Sequence, residues 1–196
     1  MEPGCGSAKT TFHLAERIKI DPLHLMDVSE HALRFAKTKE HSYLSGNVVY
    51  TEQDIFHMQF DRQFDLVWNV GLIEHYEEGE ITQIVRKMFE SVAPGGALMI
   101  AIPNRRSIPV LKAAILGSSM GKKVLSWIPG YRNETEILYG ENKIKKLIEK
   151  ETKKNVSIEY AGSSTWVNCP EPIVKFFDRY LKLKKFGFLT FFIVRK

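Results

Sequence analysis

A glycine-containing segment, Glu2-Pro3-Gly4-Cys5-Gly6-Ser7-Ala8, follows Met1 at the start of the chain. Gly4 and Gly6 carry no side chain, so a turn here can bring bare backbone close to a ligand. Ser7 and Ala8 are small enough to let a following helix pack closely on a sheet. Many turns contain two glycines for steric reasons alone, so the segment predicts a nucleotide-like cofactor only if a nucleotide-binding unit follows it.

The next segments supply that unit. His24-Leu25-Met26-Asp27-Val28-Ser29 has the pattern of a short apolar strand that ends in a carboxylate. An acid about 20 residues after a glycine turn is spaced to bond the two hydroxyls of a ribose. Ser29 is a candidate N-cap for a helix from Glu30 to about Lys39. Asp27 could instead be an ordinary turn residue, but the order of turn, helix, strand and acid favours the ribose role.

Helix and strand patterns alternate along the chain, which predicts a parallel sheet with helices on both faces. The predicted strands are 23–27, 47–51, 64–70, 97–102, 156–160 and 188–194. The predicted helices are 7–18, 30–39, 80–92, 141–152 and one around 173–181. Pro94-Gly95-Gly96 is expected to end a helix and turn the chain into the next strand.

From Glu2 to about Asn104 the chain resembles a class I S-adenosylmethionine-dependent methyltransferase. Besides the glycine turn and Asp27, the resemblance is carried by Gln53-Asp54-Ile55, Phe64-Asp65-Leu66-Val67-Trp68-Asn69, Ile73-Glu74-His75 and Ala93-Pro94-Gly95-Gly96. It implies an α/β fold with a doubly wound, Rossmann-like, mostly parallel sheet whose last two strands form an antiparallel hairpin. S-adenosylmethionine is the implied cofactor, and residues 1–196 are expected to form a single methyltransferase domain.

The resemblance also assigns residues to the cofactor. The backbone of Gly4, Cys5 and Gly6, with Asn69 and Val70, is expected to hold the methionyl part. Glu2 is similar to the family acid that orders the turn from below.

At the other end of the cofactor, Asp27 is expected to take the ribose hydroxyls and Val28 to pack on the adenine. Asp54 is a candidate acceptor for the adenine amino group, and the Ile55 backbone is a candidate donor to the ring. The competing role for Asp54 is a helix cap, but the cofactor role is somewhat favoured.

A sulfonium methyl group is already electrophilic, so few catalytic residues are needed. His75 is the first candidate for a proton acceptor, because an imidazole has a pKa near 6.5. Glu74 is the second candidate, and His75 could alternatively have only a structural role. Ile73-Glu74-His75 is similar to a segment of quinone-biosynthesis O-methyltransferases, but Gly71 occupies the position of a further acid in some of them. We therefore predict no metal.

Residues 105–140 are expected to form a helical insertion that closes as a lid over the substrate. Its aromatic residues Trp127, Tyr131 and Tyr139 are candidates for substrate binding. The alternative is a pair of helices that completes the core.

Charge is unevenly distributed along the chain. Residues 1–104 carry 9 basic and 15 acidic side chains, whereas residues 105–196 carry 19 basic and 8 acidic ones. A nucleic acid, a phosphorylated small molecule or an anionic membrane surface could meet the basic half. Six of its lysines, however, lie between residues 143 and 154 on one short amphipathic helix without interleaved aromatic residues, so a solvated helix face is favoured.

Several further features narrow the type of protein. Cys5 and Cys169 provide no disulfide framework, which predicts a reducing, cytoplasmic location. No apolar run reaches the roughly 18 residues of a membrane span.

The strand before the glycine turn is truncated, because only Met1 precedes the turn. We therefore expect an N-terminally shortened chain, or a stub of residues 1–3 beside a gap filled by a neighbouring chain or solvent.

These features favour methyl transfer to an O or N atom of a small-molecule acceptor. The alternatives are an RNA-directed methyltransferase, a dinucleotide-dependent oxidoreductase and an inactive partner protein with the same fold. The sequence does not favour nucleic acid as the partner, and it leaves the oligomeric state open.

Overall fold

The computed structural model describes residues 1–40, 47–118, 136–162 and 184–196, together with Pro172. The strands are β1 (Glu2–Pro3), β2 (Leu23–Asp27), β3 (Val48–Glu52), β4 (Phe64–Val70), β5 (Val92–Pro103), β6 (Ser157–Ala161) and β7 (Leu189–Arg195). The α-helices are α1 (Lys9–Ala15), α2 (Glu30–Lys39), α3 (Glu78–Ser91), α4 (Ile108–Gly117) and α5 (Glu141–Thr152). Short 3₁₀ helices span Ile55–His57, Ile73–His75 and Lys184–Phe186.

The strands form two hydrogen-bonded groups, in the orders β1-β2-β3 and β4-β5-β7-β6. The neighbours β1 and β2, β2 and β3, and β4 and β5 are parallel, whereas β7 is antiparallel to both β5 and β6. The predicted α/β fold, with a mostly parallel sheet and a C-terminal antiparallel pair, is therefore confirmed.

The first three residues connect these two groups. Glu2 and Pro3 pair with Leu25 and Met26 of β2. On the other side, the Met1 nitrogen donates to the Leu66 carbonyl at 2.7 Å, and the Trp68 nitrogen donates to the Met1 carbonyl at 3.0 Å. The strand β1 is thus a two-residue element between β2 and β4.

Aromatic side chains also join β2 to β4. The His24 ring of β2 packs edge-on against the Phe64 ring of β4, with ring centroids 5.4 Å apart, and against the Phe60 ring at 5.0 Å. The two groups of strands are therefore joined both by the short strand β1 and by these aromatic rings.

The main core lies between the sheet and the helices α3 and α5. Its fully buried side chains include Ile81, Ile84, Met88, Ile144, Ile148 and Phe192. A second cluster packs Phe12 of α1 and Leu33 of α2 against Leu25. Ser29 caps α2 as predicted, because its Oγ accepts from the Ala32 nitrogen at 3.2 Å.

The Pro94-Gly95-Gly96 segment departs from its predicted role. The helix α3 already ends at Ser91, and the three residues lie inside β5, where the pairing with β4 shifts register between Phe64 and Leu66. Gly95 has a φ of +83°, and a Cβ on Gly96 would lie 2.7 Å from the Asp65 carbonyl oxygen. The glycines therefore permit an irregularity within a strand, not a turn before it.

The predicted helix around 173–181 lies outside the described residues.

Among the described residues, no helix combines the length and the apolar character that crossing a membrane requires.

Candidate active site

A cleft of about 220 Å³ opens where β1, β2, β3 and β4 end. Five of the residues predicted to bind the cofactor line it, namely Gly4, Asp27, Val28, Asp54 and Ile55. The sequence did not predict cofactor binding for five further lining residues, namely Met26, Gln53, Phe56, Leu72 and Tyr76. The carboxyl ends of the strands thus converge on one crevice, as expected of an open parallel sheet.

The glycine turn is held by hydrogen bonds to β2. The Cys5 nitrogen donates to the Met26 carbonyl at 3.0 Å, and the Gly6 nitrogen donates to Asp27 Oδ2 at 2.8 Å. Gly4 has a φ of +65°, and a Cβ there would lie 2.7 Å from Cδ1 of Leu72. The turn can therefore pack directly against Leu72 only because residue 4 is glycine.

Asp27 supports the turn as well as lining the cleft. Its Oδ1 accepts from the Ser29 nitrogen at 2.9 Å, while Oδ2 holds Gly6. A carboxylate can accept about four hydrogen bonds, so both oxygens retain capacity for a ligand. Beside it, the side chain of Val28 is exposed to 67%, which leaves an apolar surface open at the cleft.

Asp54 is a helix cap, as the alternative interpretation held. Its Oδ1 accepts from the Phe56 nitrogen at 2.9 Å at the start of the 3₁₀ helix Ile55–His57. Because Asp54 also lines the cleft, the cap orients a carboxylate that a ligand can still reach.

Glu2 and Cys5 are buried beneath the turn and do not line the cleft. Thr11 of α1 donates a hydrogen bond to the Glu2 carboxyl. Burial raises the pKa of Glu2 to about 7 and that of the Cys5 thiol to about 12. Glu2 therefore links the turn to α1, and Cys5 is a neutral thiol at physiological pH.

Asn69, at the end of β4, is fully buried. Its Nδ2 donates to the Pro3 carbonyl at 2.6 Å, which ties β4 to the beginning of the glycine turn. Its Oδ1 has no hydrogen-bond partner among the described residues. Val70, the next residue, is half-buried and also lies outside the lining of the cleft.

The two candidate proton acceptors lie in different environments. Glu74 is only 3% exposed, and its Oε2 has no hydrogen-bond partner in the part of the chain that the structure describes. Burial, followed by the nearby charge of Glu136, raises the pKa of Glu74 to about 7. His75, in contrast, is exposed. Neither residue is among those that line the cleft, so the structure places a buried carboxyl and an exposed imidazole next to Leu72 and Tyr76, which do line it.

Tyr139 is the one predicted substrate residue that the described part of the chain contains. It is buried, and its hydroxyl donates to the Tyr76 carbonyl at 2.9 Å. Tyr76 lines the cleft and Tyr139 lines a second cavity of about 340 Å³, so this hydrogen bond links the linings of the two cavities. Trp127 and Tyr131 lie outside the described residues.

Comparisons with known proteins agree with this geometry. A family model described as a methyltransferase domain matches residues 1–96. None of the curated proteins matches the chain in sequence.

Among solved structures, a protein from Bordetella parapertussis described as a possible exported protein shares 15% identity, with a TM-score of 0.63, over 100% of this chain and 63% of its own. Magnesium protoporphyrin IX methyltransferase from Synechocystis, with bound S-adenosylhomocysteine, shares 16% identity at a TM-score of 0.62, over 100% and 72%. A methyltransferase from Thermotoga maritima shares 13% sequence identity at a TM-score of 0.65. The match covers 100% of this chain and 80% of that protein. This chain thus spans less than two thirds of the length of the first of these proteins.

The chain has the fold of S-adenosylmethionine-dependent methyltransferases. S-adenosylmethionine is the cofactor that the sequence predicts for such a fold, and the methyltransferase-domain model matches residues 1–96. The similarity to quinone-biosynthesis enzymes stays a prediction.

The residues of this methyltransferase fold are compatible with that cofactor. The site offers a carboxylate with spare acceptor capacity at Asp27, an exposed apolar side chain at Val28 and a turn in which a Cβ on Gly4 would collide with Leu72. Outside the lining of the cleft, Asn69 adds a buried Oδ1 that has no hydrogen-bond partner among the described residues. No group of three potential metal-ligating side chains is found among the described residues.

Proposed function

We propose that this protein transfers the methyl group of S-adenosylmethionine to an O or N atom of a small-molecule acceptor. The observation that carries the proposal is the cleft itself, because one crevice joins the glycine turn, Asp27 and Asp54. When bound, S-adenosylmethionine supplies a sulfonium-activated methyl group.

In this proposal each end of the cleft binds a different part of the cofactor. Asp27 accepts hydrogen bonds from the ribose hydroxyls with the lone pairs that Gly6 and Ser29 leave free. Val28 packs on the adenine, with Asp54 as the acceptor and the Ile55 backbone as the donor to the base. Asn69, Val70 and the backbone of Gly4, Cys5 and Gly6 hold the methionyl end, while Glu2 orders the turn.

We assign the proton acceptor to Glu74. A carboxyl whose pKa lies at about 7 is partly ionised at neutral pH, so it can accept a proton from an acceptor hydroxyl or ammonium group. Its burial keeps it away from bulk water, and its unpartnered Oε2 is free to receive that proton. Tyr139, with Trp127 and Tyr131 of the predicted lid, is proposed to contact the acceptor.

Calorimetric titration with S-adenosylmethionine and with NAD tests the cofactor. We expect S-adenosylmethionine to bind and NAD not to bind. Asp27→Ala should weaken S-adenosylmethionine at least tenfold, because the variant loses both the ribose acceptor and the bond that holds Gly6. Asp61→Ala, which removes an exposed carboxylate that does not line the cleft, is the control and should bind normally. Equal binding of NAD would refute the proposal.

The alternatives make different predictions. An RNA-directed methyltransferase would bind RNA with a steep salt dependence. An inactive partner protein would bind the cofactor without any turnover over a panel of hydroxyl and amine acceptors. The cytoplasmic location stays a prediction.

A further inference from the structure

The helix α4 is apolar on both of its sides. Its inward side buries Val110, Ala113 and Leu116, each at most 2% exposed. Its outward side carries Ile108, Leu111 and Ile115, which are exposed to 41%, 52% and 61%. These three positions follow a spacing of three and four residues and therefore form one stripe on the helix.

The stripe is concentrated, not scattered. Among the described residues, eight large hydrophobic side chains are exposed, and three of them lie on this one helix of ten residues. Single exposed hydrophobic residues need no explanation, but a contiguous apolar patch marks an interaction surface.

The charge of the described residues beside the stripe indicates what covers it. Residues 105–118 contain three basic residues, Arg105, Arg106 and Lys112, and no Asp or Glu. Lys112 lies on α4 beside the stripe, half-buried, and Arg105 precedes the helix. Arg106 is paired with Glu141, whereas Arg105 forms no ion pair with any residue that the structure describes.

We propose that α4 docks on an anionic membrane surface. Ile108, Leu111 and Ile115 enter the boundary between head groups and acyl chains, while Arg105 and Lys112 contact the lipid head groups. Aliphatic side chains flanked by basic residues are the combination that holds an interfacial helix on anionic lipid. The stripe itself contains no polar or aromatic side chain of the kind that anchors most protein interfaces, so a membrane is favoured over a protein partner.

Docking would place the cleft close to the membrane. Asn104–Ser107 link the end of β5 to the start of α4, and β5 is parallel to β4. The cleft opens at the ends of β1 to β4, which is the same edge of the sheet. The inference is independent of the proposed function, because docking requires neither cofactor nor acceptor.

Flotation of the full chain with lipid vesicles tests the proposal. We expect binding to vesicles of phosphatidylcholine with one quarter phosphatidylglycerol, and at least tenfold weaker binding to pure phosphatidylcholine or at high salt. The double substitution Leu111→Glu and Ile115→Glu should reduce binding to the anionic vesicles at least tenfold. Phe35→Glu is the matched control, because Phe35 is a 46% exposed hydrophobic residue on α2, and it should bind like the wild type.

A melting curve of each variant checks its folding, and Leu111→Ser with Ile115→Ser replaces any glutamate variant that fails to fold. Absence of wild-type binding to anionic vesicles would overturn the proposal, as would an equal loss in the Phe35→Glu control. A wild-type dimer in gel filtration that the stripe variant dissociates, without vesicle binding, would show that a second copy covers the stripe.

Discussion

Gly4→Ala is expected to lower the affinity for S-adenosylmethionine by ten- to a hundredfold while leaving the protein folded. Gly4 has a φ of +65°, where an alanine is strained by about 1 kcal/mol. Its new Cβ would lie 2.7 Å from Cδ1 of Leu72, so the leucine side chain must move. Because Leu72 lines the cleft, its displacement changes the cofactor site more than the core. Calorimetric titration measures the affinity, and thermal unfolding measures the stability.

Two further variants separate strain from collision. Gly95→Ala also places an alanine at positive φ, +83°, but no atom lies within 4 Å of its Cβ, and the site is in β5, away from the lining of the cleft. It should lose similar stability with no loss of affinity. Leu72→Ala should restore part of the affinity of Gly4→Ala, because it removes the colliding atoms. Equal cofactor affinity of Gly4→Ala, of Gly95→Ala and of the double variant Gly4→Ala with Leu72→Ala would show that contact between the turn and Leu72 does not shape the site.

The order of elements was predictable because it depends on local patterns. The cap at Ser29, the apolar side of α5 and the strand β4 each follow from residues close together in the sequence. The predicted bounds agree with the observed ones to within two residues for most elements. The exceptions are the helix predicted over 7–18, which is observed over Lys9–Ala15, and the strand predicted over 97–102, which is observed over Val92–Pro103. The spacing of apolar residues is sufficient to predict an element when those same residues pack that element against the core.

What the sequence could not predict depends on contacts between distant segments. Leu72 and Tyr76 belong to no recognisable motif, and only the folded chain brings them opposite Gly4 and Asp27. Pro94-Gly95-Gly96 has the composition of a turn, yet β4 pairs with Val92 before it and Ala97 after it, and Gly95 and Gly96 hydrogen-bond to Lys196 at the end of the chain's last strand. Local composition cannot reveal that tertiary pairing.

The choice between Glu74 and His75 was open for the same reason. Adjacent residues in a 3₁₀ helix point in different directions, and the sequence does not say which of the two faces inward. The structure buries Glu74 and exposes His75. The Ile137 nitrogen donates to the Glu74 carbonyl at 2.7 Å, so the segment after residue 135 covers this helix and helps to bury the carboxyl.

Glu74→Gln is therefore expected to reduce kcat at least a hundredfold with any acceptor that is turned over, because it removes the proton acceptor and keeps the shape of the side chain. The affinity for S-adenosylmethionine should change little. Wild-type activity should fall as the pH decreases through about 7, where the carboxyl becomes protonated. His75→Ala is the control and should retain activity within about threefold, since a factor of three is only about 0.65 kcal/mol. A large loss in His75→Ala with an active Glu74→Gln would reverse the assignment.

The same substitution has a consequence for stability that needs no acceptor. Burial raises the folded-state pKa of Glu74 to about 7, above its ordinary value of 4.5, so between these values the folded protein binds more protons than the unfolded chain. The contribution of Glu74 to the free energy of unfolding is therefore greatest below about pH 4.5 and is lost as the pH rises through about 7. Glu74→Gln, which stays neutral, should have a higher Tm than the wild type at pH 8, and this advantage should shrink at pH 5. A pH-independent difference in Tm would show that the Glu74 carboxyl is not held in its protonated form by burial.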